Sequence, residues 1–121
     1  MFEDDKLTHK IIGCAMKVHS ELGCGFQEVV YQRCLALEFR NAGLLYEREK
    51  EMEIYYQDEM VGTRRLDFLG EGSVIVELKA LKELENVHIV QGKNYLKVFS
   101  IEKGLLINFG STSLEFKRIF K

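Results

Sequence analysis

The chain has 121 residues, of which 46% are hydrophobic and 30% are charged, with ten glycines, no proline and a net charge of -2. This length is typical of one domain, and this composition excludes disordered, collagen-like and low-complexity proteins. No apolar run approaches the roughly 18 residues of a membrane span, and the acidic start does not resemble a secretory signal. We therefore expect one globular domain, residues 1–121, in the cytoplasm.

Charge is distributed unevenly along the chain. Residues 1–63 carry 7 basic and 12 acidic side chains, whereas residues 64–121 carry 10 and 7, so the second half is the expected side for a polyanion. The three cysteines are Cys14, Cys24 and Cys34. Their ten-residue spacing is typical of neither a C-x-x-C pair nor a zinc site, so we expect reduced thiols that mainly pack.

Two amphipathic helices are predicted in the first 42 residues. Residues 7–22 place apolar side chains at helical spacing and stop at Gly23, and residues 27–42 do the same and stop at Gly43. The first helix has three candidate N-caps: Asp4, Asp5 and Thr8. The second has two candidate inward rows: Val30, Cys34 and Leu37, and Tyr31, Leu35 and Glu38. The linker between them is short, so the helices should be neighbours.

From residue 46 the pattern changes to the period of two that is typical of strands. The five predicted strands cover residues 46–56, 60–69, 74–79, 104–109 and 115–120. Asn86 can cap a third helix over residues 87–99, between the third and fourth strands. The predicted order is therefore ααβββαββ, an α/β chain of the α+β type with a mixed sheet flanked by helices.

The third strand carries two charges among apolar residues. Glu77 and Lys79 are two positions apart, so their side chains leave one face, which they share with Ile75. The other face takes Val74, Val76 and Leu78. Buried charge needs a counter-charge, a metal or a solvent-filled cleft. The alternative is an ordinary salt bridge on an exposed face.

Asp67 lies ten positions before Glu77, on the preceding strand, where it interrupts an apolar run. The two carboxylates face each other only if the hairpin is centred on Gly72, which requires a three-residue loop or a bulge. A two-residue turn would instead place Asp67 against Val76, on the opposite face. Two carboxylates at close range repel, and a divalent cation is the usual means of keeping both ionised. Mg²⁺ suits oxygen ligands of this kind.

These motifs, in this order, resemble the core of the PD-(D/E)XK nuclease superfamily. Asp67, nine residues and then Glu77-Leu78-Lys79 is similar to the motif that names the superfamily. Residues 25–31, Gly-Phe-Gln-Glu-Val-Val-Tyr, are similar to the motif of the bacterial GxxExxY family within it. The chain departs from these patterns where Leu66 and Cys24 replace prolines. The resemblance covers about residues 7–120 and implies a restriction-endonuclease-like core.

The resemblance implies a metal-dependent phosphodiesterase. Asp67 and Glu77 would bind Mg²⁺ or Mn²⁺, with the carbonyl of Leu78 as a further ligand. Lys79 would hold or polarise the attacking water and stabilise the negative charge that grows on the phosphate. Glu28 would complete or tune the metal shell, and the alternative is that it only stabilises the start of its helix.

Four further residues are implied to support this site. Gln91 and Tyr95 on the third helix resemble a motif of the exonuclease branch of the superfamily, and His88 lies on the same helix face. The alternatives are a core position for Tyr95 and a hydrogen bond from Gln91 to a nearby loop. For His88 we expect a structural or supporting role. Tyr31 follows Glu28 by one turn, and either holds it in place or only packs.

The leading hypothesis is an enzyme that hydrolyses phosphodiester bonds of DNA, with RNA as the alternative substrate, through a metal-activated water. Its partner would be a nucleic acid and not a membrane, and a homo-oligomer or a protein partner stays open. A second hypothesis is a non-catalytic module on a nuclease fold that binds nucleic acid or a protein. A third is an α/β domain whose charges are ordinary surface. Clustered Asp67, Glu77 and Lys79 favour the enzyme, because a pure scaffold gains nothing from clustered charge.

Overall fold

The computed structural model describes residues 3–121, with side chains from residue 6 onward. The elements follow the predicted order ααβββαββ. The helices are α1 (Glu3–Leu22), α2 (Glu28–Asn41) and α3 (Asn86–Phe99). The strands are β1 (Tyr46–Tyr56), β2 (Glu59–Gly70), β3 (Val74–Lys79), β4 (Lys103–Asn108) and β5 (Glu115–Phe120). These helices and one mixed sheet confirm the predicted α+β class.

The five strands lie in the sheet in chain order, β1-β2-β3-β4-β5. All neighbours are antiparallel except β3 and β4, which are parallel, and α3 provides the crossover that parallel neighbours require. β2 pairs with β1 along almost its whole length but pairs with β3 only over residues 68–70. The outer half of the β1–β2 hairpin therefore extends beyond β3.

The loop between β2 and β3 has three residues, 71–73. Gly72 has φ 68° and Glu71 has φ 51°, and glycine takes this left-handed conformation without the usual cost. The pairs Phe68–Val76, Leu69–Ile75 and Gly70–Val74 centre the hairpin on Gly72. This is the register that brings Asp67 and Glu77 to the same level, and it excludes the alternative two-residue turn.

Helices cover both faces of the sheet, as predicted. On one face α1 and α2 pack on a cluster that includes Val74, Val76 and Leu78 of β3. On the other face α3 packs through Leu96 on a smaller cluster that includes Ile75. The predicted division of β3 into two faces is therefore confirmed, and Glu77 and Lys79 have the same parity as Ile75.

The caps of two helices, α1 and α3, differ from the prediction. Residues 4 and 5 lie within α1, so neither is an N-cap, and their side chains lie outside the described residues. Thr8 also lies inside α1, where its hydroxyl accepts a hydrogen bond from Nε of Arg118. Asn86 is the first residue of α3 and not its cap; the cap is Glu85, because its N–H finds an acceptor in Nδ1 of His88. In α2 the structure selects the second of the two candidate rows, that of Tyr31 and Leu35, whereas Leu37 is 50% exposed.

The remaining expectations of the sequence concern the cysteines and the membrane. Cys14, Cys24 and Cys34 are all free thiols, and only Cys14 is buried. Within residues 3–121, none of the helices is long and apolar enough to cross a membrane.

Gly110 follows β4 and packs closely against the segment after β3, so a substitution at Gly110 tests this packing. A Cβ at Gly110 would overlap the backbone of Leu81, which cannot move aside as a side chain can. We expect Gly110→Ala to lower the free energy of unfolding by about 3 kcal/mol. Gly13 is the matched control, because a Cβ in this exposed part of α1 would meet nothing within 4 Å. Gly13→Ala should raise the free energy of unfolding by about 0.5–1 kcal/mol through helix propensity. Urea denaturation measures both, and equal effects would contradict this packing.

Candidate functional site

Asp67 and Glu77 join β2 and β3 at the point where the backbone pairing of these strands ends. The N–H of Asp67 donates a hydrogen bond to Oε2 of Glu77 at 2.9 Å. The N–H of Leu78 donates to Oδ2 of Asp67 at 2.8 Å. Each carboxylate therefore accepts from the backbone of the opposite strand, in place of the ladder bonds that are lost. The two predicted carboxylates share one gap between the strands.

The backbone of β2 is irregular at Asp67. Leu66 packs in the cluster under α3, whereas Phe68 packs in the cluster under α1 and α2. In a regular strand, residues two positions apart share a face. The β1–β2 pairing skips Asp67 and Glu49, between the pairs Arg48–Phe68 and Lys50–Leu66. Glu49 has a φ of 54°, which is unusual for a residue with a side chain. This distortion accompanies the departure of Asp67 from the ladder and lets its carboxylate reach the backbone of β3.

Gln32 of α2 holds Asp67 from the helix side. Its Nε2 donates to Oδ1 of Asp67 at 2.9 Å, and its Oε1 accepts from Arg48 at 3.4 Å. Gln32 is only 5% exposed, so this amide is committed to Asp67 and Arg48. Gln32 was not among the predicted site residues. Its signal was its place one helical turn after Glu28, where both residues lie on the same helix face.

Arg64 is a second site residue that was not predicted. Its Nη2 lies 2.8 Å from Oε1 of Glu77, whose side chain is 7% exposed. Its guanidinium lies over the ring of Tyr95, 4.9 Å from the centroid. Arg64 therefore links the site to α3 and supplies a counter-charge to Glu77. The sequence carried no signal for it, because regular alternation from Asp67 places Arg65 on the face of Glu77. The irregularity at Asp67 reverses this alternation and brings Arg64 to that face.

Leu78 and Lys79, the last two residues of β3, lie next to the gap between β2 and β3. In an antiparallel pair, the N–H and the carbonyl of one residue point to the same neighbouring strand. Since the N–H of Leu78 points to Asp67, the carbonyl of Leu78 is directed to the same gap. The carbonyl of Lys79 accepts from Phe109 of the β4 side at 2.8 Å, which fixes the strand end. The side chain of Lys79 is half-buried on the Glu77 face.

Glu28, the first residue of α2, approaches the same charges. Partial burial of its carboxyl group raises its pKa, and the charge of Asp67 raises it further. Lys79, the N–H of Ala80 and Arg64 act in the opposite direction. However, no three His, Cys, Asp or Glu side chains of the described residues are grouped closely enough to hold a metal ion. The structure brings Asp67 and Glu77 together, and Glu28 does not complete a three-carboxylate cluster with them.

Comparisons with known proteins identify the superfamily and the fold of this chain. A family model of the PD-(D/E)XK nuclease superfamily matches residues 5–119. The chain belongs to the PD-(D/E)XK nuclease superfamily. Its fold is similar to that in the crystal structure of SSO0001, with a TM-score of 0.53 and 20% sequence identity over 100% of this chain and 78% of the other. At this identity the likeness shows the fold alone. No curated protein matches the chain significantly.

In this PD-(D/E)XK domain, Tyr31 holds the loop that leads into α2. Its hydroxyl donates to the carbonyl of Gly23 at 2.7 Å and accepts from the N–H of Phe26 at 3.2 Å. Its ring stacks on Phe109, with centroids 4.6 Å apart. Gly25, between the two anchored residues, has φ 111°, a conformation that favours glycine. Tyr31 thus packs in the core and also fixes the turn that places Glu28 at the helix start.

The three predicted residues of α3 lie in different surroundings. Tyr95 is partly buried beneath the guanidinium of Arg64. Gln91 is exposed on the same helix. The ring of His88 accepts a hydrogen bond from the N–H of Glu85 at 3.0 Å, so it caps the helix. Tyr95 reaches the carboxylates through Arg64, whereas His88 has a structural place at the helix start.

Buried Asn108, at the end of β4, fixes the segment that follows Lys79. Its Oδ1 accepts from the N–H of Leu81 at 2.8 Å, and its Nδ2 donates to the carbonyl of Leu81 at 3.0 Å. Nδ2 also donates to Glu115, which in turn accepts from the N–H of Leu84. This network positions Ala80, whose N–H acts on the carboxylate of Glu28.

Tyr31→Phe tests whether the loop before α2 depends on the tyrosine hydroxyl. The ring of Tyr31 is 0% exposed, so the variant keeps the stacking but leaves the carbonyl of Gly23 and the N–H of Phe26 without this partner. We expect the free energy of unfolding to fall by about 1–3 kcal/mol. Urea denaturation measures the change. Unchanged stability would show that the hydroxyl contributes little to holding this loop.

Burial raises the pKa of Glu77 from 4.5 to about 6, and the charge of Asp67 adds to this effect. The N–H of Asp67 and Arg64 oppose it. The folded protein therefore favours the protonated carboxyl. This contribution to stability is complete below pH 4.5 and is lost as pH rises through about 6. At pH 8, the ionised carboxylate costs about 2 kcal/mol.

Glu77→Gln should therefore be more stable than the wild-type protein at pH 8, by up to about 2 kcal/mol. Glutamine keeps the shape of the protonated side chain, so the two proteins should be equally stable near pH 4. Urea denaturation in the presence of a chelator, at both pH values, measures the difference. A variant that is less stable at pH 8 would show that the ionised carboxylate stabilises the fold.

Proposed function

We propose that this chain is a metal-dependent nuclease of the GxxExxY type that hydrolyses phosphodiester bonds of DNA, with RNA as the alternative substrate. We further propose that residues 1–121 form one domain that works in the cytoplasm. The observation that carries this proposal is the gap between β2 and β3, where Asp67 and Glu77 converge. Lys79 lies two residues after Glu77 and therefore shares its face of β3. The excess of basic residues in the second half of the chain supports a polyanionic substrate.

The donor atoms at the gap fit a divalent cation. Asp67 and Glu77 supply four carboxylate oxygens, and each accepts one of the hydrogen bonds described above. A carboxylate oxygen has about two acceptor sites, so each keeps one for a further ligand. Mg²⁺ prefers oxygen ligands, uses one or two carboxylates and keeps several waters, and Mn²⁺ suits the same donors. We assign Asp67, Glu77 and the carbonyl of Leu78 as ligands, with Glu28 tuning the site.

The chain would contribute positioning and charge to the reaction. A divalent cation at this place supplies Lewis-acid activation of water and phosphate. Lys79 holds the attacking water and stabilises negative charge on the phosphate, while Gln32 keeps Asp67 at one fixed orientation. Tyr95 and Arg64 form the α3 side of the site. Gln91, which is exposed on α3, would contact the nucleic acid.

A non-catalytic nucleic-acid or protein-binding module is the second candidate, and one observation favours it. Within residues 6–121 the acidic side chains do not form a three-ligand metal cluster. A module that does not cut would need neither the cation nor an ionised Glu77. The two functions differ in whether the protein cleaves nucleic acid at all. If it does, the cleavage should require Lys79.

Lys79→Met tests the catalytic proposal. Purified protein with Mg²⁺ or Mn²⁺ should cleave DNA or RNA, and the variant should be slower by about 10²–10³ because it lacks the charge that stabilises the phosphate. Lys117→Met, which removes an exposed lysine from β5, is the matched control and should cleave at the wild-type rate. Cleavage is measured on labelled oligonucleotides, with circular dichroism as the check on folding. Equal cleavage by both variants would reject the role of Lys79, and no cleavage by the wild-type protein would favour the binding module.

A further inference from the structure

We infer that Arg64 is an exchangeable counter-ion, which occupies Oε1 of Glu77 in the metal-free protein and moves to a substrate phosphate when a divalent cation binds. The inference rests on the proposed function and adds to it a coupling between the cation and the nucleic acid. The motif residues of the superfamily do not include Arg64.

The ion pair lies on an oxygen that the cation would need. Oε2 of Glu77 already accepts from the N–H of Asp67, whereas Oε1 is held by Arg64 at 2.8 Å. A guanidinium carries a full positive charge, so it competes with a cation at Glu77 and also repels it. In the metal-free protein the same charge offsets the repulsion between Asp67 and Glu77. Arg64 therefore stabilises the two neighbouring carboxylates and opposes metal binding.

The hydrogen bonds of Arg64 are incomplete. A guanidinium has five N–H donors, and the contact with Glu77 uses Nη2. Nε of Arg64 is buried, and it has no hydrogen-bond partner in the described part of the chain. The side chain is nevertheless 38% exposed, so one edge of it is accessible to a ligand. A planar fork with unused donors matches the oxygens of a phosphate.

Tyr95 allows this exchange without loss of the arginine from the site. The ring lies under the guanidinium at 4.9 Å and holds it through a cation–π contact, which uses none of the N–H donors. The guanidinium can therefore change its anionic partner while it stays on the ring. Neighbouring Arg65 is exposed, so it provides a matched control for the loss of one charge.

The exchange predicts positive cooperativity between the cation and phosphate. If Arg64 stayed on Glu77 after metal binding, its charge would lie directly beside that of the cation. A phosphate of the substrate relieves this repulsion, because it binds the released guanidinium. By linkage, the cation and the nucleic acid then strengthen each other's binding to the same extent.

Calorimetry with Mn²⁺ alone, at pH 7.5 and without nucleic acid, tests the first half of the exchange. We expect Arg64→Gln to bind Mn²⁺ about fivefold more tightly than the wild-type protein, and Arg65→Gln to bind it like the wild type. Arg64→Lys, which keeps the charge, should stay within twofold of the wild type and serves if the glutamine variant fails to fold. Weaker or equal binding by Arg64→Gln would show that Arg64 only orients Glu77, and would overturn the inference. If Arg64→Gln does not fold, weaker binding by Arg64→Lys would also overturn it.

Binding of a cleavage-resistant phosphorothioate DNA oligonucleotide, with and without Mn²⁺, tests the second half. Mn²⁺ should tighten binding by the wild-type protein about tenfold, and Arg64→Gln should lose most of this gain. An unchanged gain in the variant would overturn the transfer to phosphate. If neither protein binds Mn²⁺ at millimolar concentration, the proposed function fails together with the inference. If the wild-type protein binds Mn²⁺ and cleaves DNA but Arg64→Gln binds no more tightly, only the inference fails.

Discussion

The site depends on two reciprocal hydrogen bonds between β2 and β3, in which each carboxylate accepts from a backbone N–H of the opposite strand. This arrangement requires that Asp67 and Glu77 lie at the same level of the hairpin. The three-residue loop centred on Gly72 sets that level, since a shift of one residue would turn one carboxylate to the other face. A turn remote from the chemistry therefore determines whether a site exists.

The same arrangement concentrates negative charge where solvent is limited. Burial and the neighbouring Asp67 raise the pKa of Glu77 even though Arg64 and a backbone N–H contact it. Glu28 is affected in the same direction by burial and by Asp67. Groups of like charge in a partly buried place are unfavourable for folding but favourable for binding a cation. The fold tolerates them because Gln32, Arg64 and two backbone N–H groups bind the carboxylates.

Two supports outside the gap fix the surroundings of these charges. Tyr31 anchors the loop before α2, and so determines where Glu28 begins that helix. Asn108 anchors the segment after β3 through both of its amide atoms. Gly110 permits the close approach of β4 and this segment, because a Cβ there would overlap Leu81. The motif residues are thus positioned by buried hydrogen bonds from elements that are distant in sequence.

The sequence by itself determined the order of the elements, the two faces of β3 and the superfamily, because alternation and motif spacing are local properties of the chain. It left the register of the hairpin open. It also favoured Asn86 as the cap of α3, because the hydrogen bond from the N–H of Glu85 to Nδ1 of His88 is not visible in the sequence pattern. Only the tertiary structure decided that Arg64 rather than Arg65 pairs with Glu77, and that Gln32 holds Asp67. These contacts join residues 13 and 35 positions apart, and their partners are set by the twist and packing of whole elements rather than by any local pattern.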